Sequence, residues 1–255
     1  MVAGLAAVSL AACGAGLARI PPLPPAPHPT MSGPAIAQIQ RAGVLRVASD
    51  LSYPPMEFRD NGVARGFEMD LAALLADSLG VRLEIIDVPL SLLRAEFPAG
   101  ADIVLSGIPA ESAGAIGRPS EPYYVSSLAI LWPEGAPVGT FQDLRGLRVA
   151  VAAGSPGEAF AAGAAAALAA TYLPELAMEE VTGGRAQAAV GDRSVLLWYA
   201  QTHSHLRVSE GAWRETPFVA VMRWDAFDLV AFFTAALREL RAHGGLDQLR
   251  RRWRL

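Results

Sequence analysis

Val44-Leu-Arg-Val-Ala-Ser49, Phe67-Glu-Met-Asp-Leu-Ala-Ala-Leu-Leu-Ala-Asp-Ser-Leu79 and Arg82-Leu-Glu-Ile-Ile-Asp87 are the three stretches on which the fold turns. The first is a short apolar run suited to a buried strand. The second sets Phe67, Leu71, Leu74, Leu75 and Leu79 on one face at spacings of three and four, which predicts an amphipathic helix. Glu68 and Asp70 lie in its first turn, where the helix dipole favours acids, and Gly80 supplies the stop. The third reads as the next strand. A short helix near Leu90–Phe97 and a strand over Asp102–Ser106 continue the rhythm, which is that of a parallel α/β sheet.

The rhythm restarts at Leu147–Ala152, followed by Gly154-Ser-Pro-Gly157 and an alanine-rich segment. On propensity alone the run Ala161–Ala170 reads as helical. A glycine-rich turn entering a helix offers free N–H groups to a ligand oxygen. This one lacks both the phosphate-loop lysine and the spacing of a dinucleotide fingerprint. Near the C-terminus Phe227, Val230, Phe233, Leu237 and Leu240 form a helical stripe with Arg238 and Arg241 in its last turn. Gly244-Gly245 ends it, and a final short helix carries Leu246, Leu249 and Trp253. Two α/β units therefore stand in series, and the cleft between such units, at strand C-terminal ends, is where a ligand is expected.

The 255 residues suffice for two domains, and 52% apolar residues provide material for their cores. The net charge of −4 leaves no basic footprint for nucleic acid, so no such partner is expected. All 21 basic residues are arginine, which reads as a compositional bias. Cys13 stands alone, excluding a disulfide framework and a cysteine-rich metal site. His28, His203, His205 and His243 show no metal-ligand spacing, so neither metal nor cofactor is expected.

Residues 1–12 are small and apolar and run into Leu10-Ala-Ala-Cys13-Gly14. A short apolar segment ended by small residues reads as an export signal rather than a permanent membrane span. The run resembles a bacterial lipobox, which implies lipidation of Cys13 and a periplasmic, membrane-anchored protein. Pro21-Pro-Leu-Pro-Pro-Ala-Pro-His-Pro-Thr30 cannot form a helix or a central strand, because proline removes amide donors and fixes φ. It reads as a semi-rigid tether. The expected organisation is a signal segment at 1–13 and a tether at 14–34. One lobe then comprises 35–131 and 219–255, and a second 132–218.

Several motifs in order carry a resemblance to a known family: Gly43-Val-Leu-Arg-Val-Ala-Ser-Asp50, Tyr53-Pro-Pro-Met-Glu-Phe58, Gly66-Phe-Glu-Met-Asp70 and Asp102-Ile-Val-Leu-Ser-Gly107. Glu121-Pro-Tyr-Tyr124, the segment Asp143–Ser155, Ala189-Val-Gly-Asp192 and the closing Leu240–Trp253 complete the set. The chain resembles the family 3 extracellular solute-binding proteins, the type II periplasmic binding fold that serves ABC importers of amino acids. The resemblance implies a monomeric receptor of two lobes, each a small mostly parallel sheet flanked by helices. The lobes would be joined by crossings at Tyr124–Leu131 and Phe218–Arg223, and would close on a small polar ligand for a membrane permease. It places Asp50 and Tyr53 as an acid and an aromatic cradling the ligand, and Ser106 and Gly107 at a strand end facing it. Ser155 falls on a hydroxyl position for a carboxylate, and Asp192 on the acid that pairs an ammonium.

The chain departs from the family at one place. Amino-acid binders carry an arginine clamp shortly after the Gly107 position, but here the segment reads Ile108-Pro-Ala-Glu-Ser-Ala-Gly114. Arg118 is the nearest replacement. A missing clamp points to an amine-bearing ligand without a free carboxylate, or to an amino acid held in another way. Two other readings stand beside the transport receptor. One is a sensory or partner-binding relative that does not bind free amino acids. The other is an enzyme similar to cyclohexadienyl dehydratases, using Asp50, Glu57 or Glu111 as acid or base.

Overall fold

The computed structural model describes residues 21–255 apart from 137, 172, 173 and 212. Cys13 and the signal segment lie outside the described residues. Residues 21–33 form no helix or strand, as their prolines dictate. They are nonetheless laid along the body: the His28 amide donates to the Glu239 carboxylate, and Gln248 Nε2 donates to the Pro22 carbonyl.

The first sheet region is built from β1 (Val44–Ser49), β5 (Arg82–Asp87) and β6 (Ile103–Val104), with β1 parallel to both neighbours. Helices α1 (Pro34–Ala42) and α2 (Phe67–Leu79) pack on it, and the small antiparallel sheet β2 (Ser52–Tyr53), β3 (Glu57–Asp60) and β4 (Val63–Arg65) lies beside it. Helix α2 begins and ends where the sequence predicts. Its first residues hang on a loop, with the Phe67 and Glu68 amides donating to the Pro55 and Met56 carbonyls. Gly66 makes this approach possible. Its φ is 131°, and a Cβ there would stand 2.2 Å from the Met56 oxygen.

The second region consists of β8 (Arg148–Ala152), β9 (Ala167–Thr171) and β10 (Ala188–Asp192). They are also parallel, with α5 (Pro156–Gly163), α6 (Pro174–Thr182) and α7 (Arg193–Ala200) around them. Two long strands join the regions, β7 (Arg118–Pro133) and β12 (Trp213–Met222), which pair antiparallel to each other. The sheet path is β5-β1-β6-β12-β7-β10-β8-β9, with β11 (Leu206–Val208) added to β7. The result is two parallel halves hinged on one antiparallel ribbon. Short helices α3 (Leu90–Leu93) and α4 (Ala110–Ala113) occupy loops, and α8 (Phe227–Ala242) and α9 (Gly245–Trp253) return over the first half.

The cores follow the same division. Alternate residues of β1 enter opposite faces: Leu45 and Val47 pack with α2 and α8, and Ala48 with Leu93, Val104 and Val221. In the second half Ala129 and Leu131 of β7 face α6 and α7, while Ile130 faces α5. Strands covered on both faces explain the continuous apolar runs seen in the sequence.

Three expectations need correction. The alanine run is not one helix: α5 stops at Gly163, Ala165 turns at φ 57°, and Ala167–Thr171 pairs with β8 as a strand. An open sheet edge beside β8 decides the matter, because tertiary pairing outweighs the small helix preference of alanine. The helix expected to Phe97 is only Leu90–Leu93, a single turn. In α8 the buried stripe is Leu229, Phe232, Phe233, Ala236, Leu237 and Leu240, whereas Phe227 is 62% exposed. Among the described residues no helix is long and apolar enough to cross a membrane.

Candidate functional site

A cleft of about 310 Å³ opens where the C-terminal ends of β1, β6, β8 and β10 meet the middle of β7 and β12. Asp50, Tyr53, Ser106, Gly107, Ser155 and Asp192, named from the sequence, all line it. Asp50, Ser106 and Gly107 follow the parallel strands β1 and β6, Ser155 follows β8 and Asp192 ends β10. The antiparallel ribbon makes the second set run opposite to the first, so the C-terminal ends of the two sets face each other across the cleft. Tyr53 joins them from β2.

Their polar atoms are oriented differently from one another. Asp192 ends β10 and caps α7: one carboxylate oxygen accepts from the Ser194 amide at 2.8 Å, and the other from the Ser126 hydroxyl. The Tyr53 phenol meets the same carboxylate from the other half of the molecule. Burial, then the charges of Asp192 and Glu57, hold that phenol well above its ordinary range, so it is an O–H donor at any physiological pH. Ser155 caps α5, its oxygen accepting from the Glu158 amide at 3.3 Å, which leaves the hydroxyl proton for another acceptor.

Asp50 is half occupied by the fold, because its Oδ2 accepts from the Leu90 amide at the start of α3, 2.7 Å away. Ser106 and Gly107 reach the cleft, but their donors turn inward. The Ser106 hydroxyl donates to Glu57 Oε1 at 3.1 Å, and the Gly107 amide to Glu68 Oε1 at 2.9 Å. Glu57 and Glu68 are 2% and 0% exposed, and their carboxyl groups also meet each other. The remaining oxygen of each has no donor, and one proton shared between them satisfies both. Burial, then the charge of Glu68, pushes Glu57 well above the carboxylate range. Glu68 accepts from Gly107 and the Tyr123 hydroxyl, so the proton belongs on Glu57.

Arg118 is not in the cleft. It begins β7, with Ser126 roughly 25 Å along the strand at about 3.3 Å per residue. Its Nε donates to the Trp224 carbonyl, and its guanidinium covers the Phe227 ring at 3.7 Å. The arginines that do line the cleft are Arg94, just after α3, and Arg214, on β12; Ser126, Thr216 and Phe218 line it beside them. None of these was named from the sequence as a ligand-binding residue, although Ser126 and Phe218 fall in the expected crossings. The only signal for Arg214 was a break in the apolar pattern at Trp213-Arg-Glu-Thr216. Glu111 lies on α4, outside the cleft lining.

Comparison with known proteins agrees with this architecture. A curated protein of Haemophilus influenzae described as a probable amino-acid ABC transporter-binding protein is 24% identical over 228 residues, covering 87% of this chain and 89% of its own. The solved structure of an ancestral cationic amino-acid solute-binding protein superimposes with a TM-score of 0.80 at 28% identity, covering 86% of this chain and 99% of its own. A cyclohexadienyl dehydratase of Pseudomonas aeruginosa is 38% identical, but over only 73 residues, 28% of this chain and 27% of that enzyme. The fold is the two-lobed type II periplasmic-binding-protein fold. The profile of the bacterial extracellular solute-binding proteins, family 3, matches residues 45–255, and the chain belongs to that family.

Proposed function

We propose that the protein is the receptor of an ABC importer, binding a free amino acid or a close amine-bearing relative in the cleft without transforming it. The observation that carries this reading is the meeting of Asp192 and Tyr53 across the cleft, one from each half of the molecule. A ligand ammonium inserted there gains a charge-assisted bond to the carboxylate and draws the halves together. The cleft volume of about 310 Å³ suits a single small molecule. The lobes are 35–131 with 219–255, and 132–218, with the ribbon residues at the boundary shared: Ala129, Ile130 and Leu131 pack into the cores of the second lobe, and Phe218 into that of the first. The receptor works as a monomer in the periplasm, held to the membrane through lipid on Cys13.

An enzymatic reading finds less support. Glu57 is the cleft acid held in its protonated form, but one oxygen accepts from Ser106 and the other faces Glu68. It braces the cleft floor and does not reach across the cavity. The test is a thermal-shift screen of the full mature protein with the twenty common L-amino acids and common polyamines. A true ligand at 100 times its Kd stabilises by about 2.7 kcal/mol, a rise of several degrees. No shift with any compound would remove the transport reading in favour of a sensory or partner-binding role.

A further inference from the structure

An amino acid closed into this cleft brings a carboxylate as well as an ammonium. A carboxylate taken out of water without a cation costs several kcal/mol. The loop Ile108–Gly114 contains no arginine, and Arg118 lies beside Phe227 on another part of the surface. Two arginines nevertheless line the cavity, Arg94 from the first half and Arg214 from the hinge ribbon. Ion pairs engage many of the chain's arginines, but among the described residues neither of these two side chains has an ion pair or a hydrogen bond.

The backbone at Arg214 is unusual in a way that points to the same role. Between Trp213 and Thr216 the pairing of β12 with β7 slips, and Arg214 sits at φ 51°, in the left-handed region. A non-glycine residue there costs on the order of 1–3 kcal/mol, and such strain concentrates at ligand sites. A bulge re-aims a side chain. Here the Thr216 hydroxyl holds the Arg214 carbonyl at 3.5 Å, and the arginine lines the cleft beside Thr216 and Phe218.

We propose that Arg214, with Arg94 closing from the opposite half, forms the carboxylate clamp of this receptor, and that its ligand is therefore an α-amino acid with a free carboxylate and not a bare amine. This proposal rests on the amino-acid reading given above and adds the specificity of the same cleft. Arginine suits the task because its planar fork grips both carboxylate oxygens. The Asp192–Tyr53 pair takes the ammonium, so the cavity recognises both charges of a zwitterion.

The experiment is isothermal titration calorimetry of the full mature protein. The twenty common L-amino acids are tried first, and the tightest binder is then compared with its own α-carboxamide, which keeps shape and ammonium and loses only the negative charge. The expected result is that the carboxamide binds roughly 100-fold more weakly than the acid to the wild type. Arg214→Gln should weaken the acid by a similar factor and leave the carboxamide unchanged, with Arg214→Lys intermediate and Arg94→Gln showing a smaller loss. Melting temperatures of the ligand-free variants near the wild-type value establish that they fold. If the acid binds and Arg214→Gln leaves its affinity unchanged, or the carboxamide binds equally well, the clamp is wrong and the receptor reading stands. If no amino acid binds the wild type, the clamp is wrong, and the receptor reading falls with it only when the polyamines also fail to bind.

Discussion

Glu57 and Glu68 illustrate what single residues contribute here beyond lining a cleft. Each is buried, and together they hold one proton beneath Ser106 and Gly107, fixing the strand end that forms the floor. The consequence for stability follows from linkage. Glu57 is raised in the folded protein by burial and by Glu68, from an ordinary value of 4.5. Between that value and the raised one the folded state binds the proton and the unfolded state does not, so stability falls as pH rises through the window. Glu57→Gln keeps the hydrogen bonds and removes the titration. The stability difference, variant minus wild type, should therefore grow with pH above about 4.5, by about 1.4 kcal/mol for each tenfold by which the fold weakens the acid. Urea unfolding from pH 4 to pH 8 reads this directly, and parallel curves would refute it. The sequence placed six residues in the cleft, but it could not show where their hydrogens point. The partners of Ser106 and Gly107 lie on β3 and α2, dozens of residues earlier in the chain, and only the folded backbone brings them into contact.

At the scale of elements, α7 deserves comparison with α2. The limits of α2 could be read directly because periodicity, first-turn acids and Gly80 agree. Helix α7 caps itself on Asp192, then carries Trp198 out of its own half of the molecule. Trp198 meets Phe58 of β3 at 5.7 Å and Trp253 of α9 at 6.1 Å between ring centroids. Beside it Arg254 Nη1 donates to Gln201 Oε1 at 2.9 Å. These contacts join the halves away from the cleft. An aromatic pair contributes about 0.5–1.5 kcal/mol beyond its buried area, so the two pairs favour this arrangement of the halves by about 1–3 kcal/mol. Trp198→Ala should thus enlarge the radius of gyration of the ligand-free protein in small-angle scattering and weaken ligand binding about tenfold; an unchanged radius would contradict this role. The opposite lesson comes from Ala167–Thr171. Its composition is that of a helix, and the sheet edge it completes is supplied by Arg148–Ala152, so no local property of the run reveals it.

For the molecule as a whole, the two-lobed α/β arrangement was legible because the strand–helix rhythm occurs twice. The hinge was legible only in part. The expected crossings, Tyr124–Leu131 and Phe218–Arg223, fall within or beside two longer strands that pair with each other from Trp213 to Met222. Pairing between segments so distant in sequence leaves no periodic trace. In the proposed receptor that ribbon would let both cores stay intact while the cleft between them changes width, and Arg214 sits on its irregular part. A receptor of this kind requires a guest that bridges the two halves through Asp192. The most direct measurement is calorimetric titration of the wild type and of Asp192→Asn with the amino acid that binds best. The account predicts one saturable site in the wild type and an affinity at least about 100-fold lower in the variant, as expected when a buried charge pair loses one partner. Equal affinity in the two proteins would contradict it.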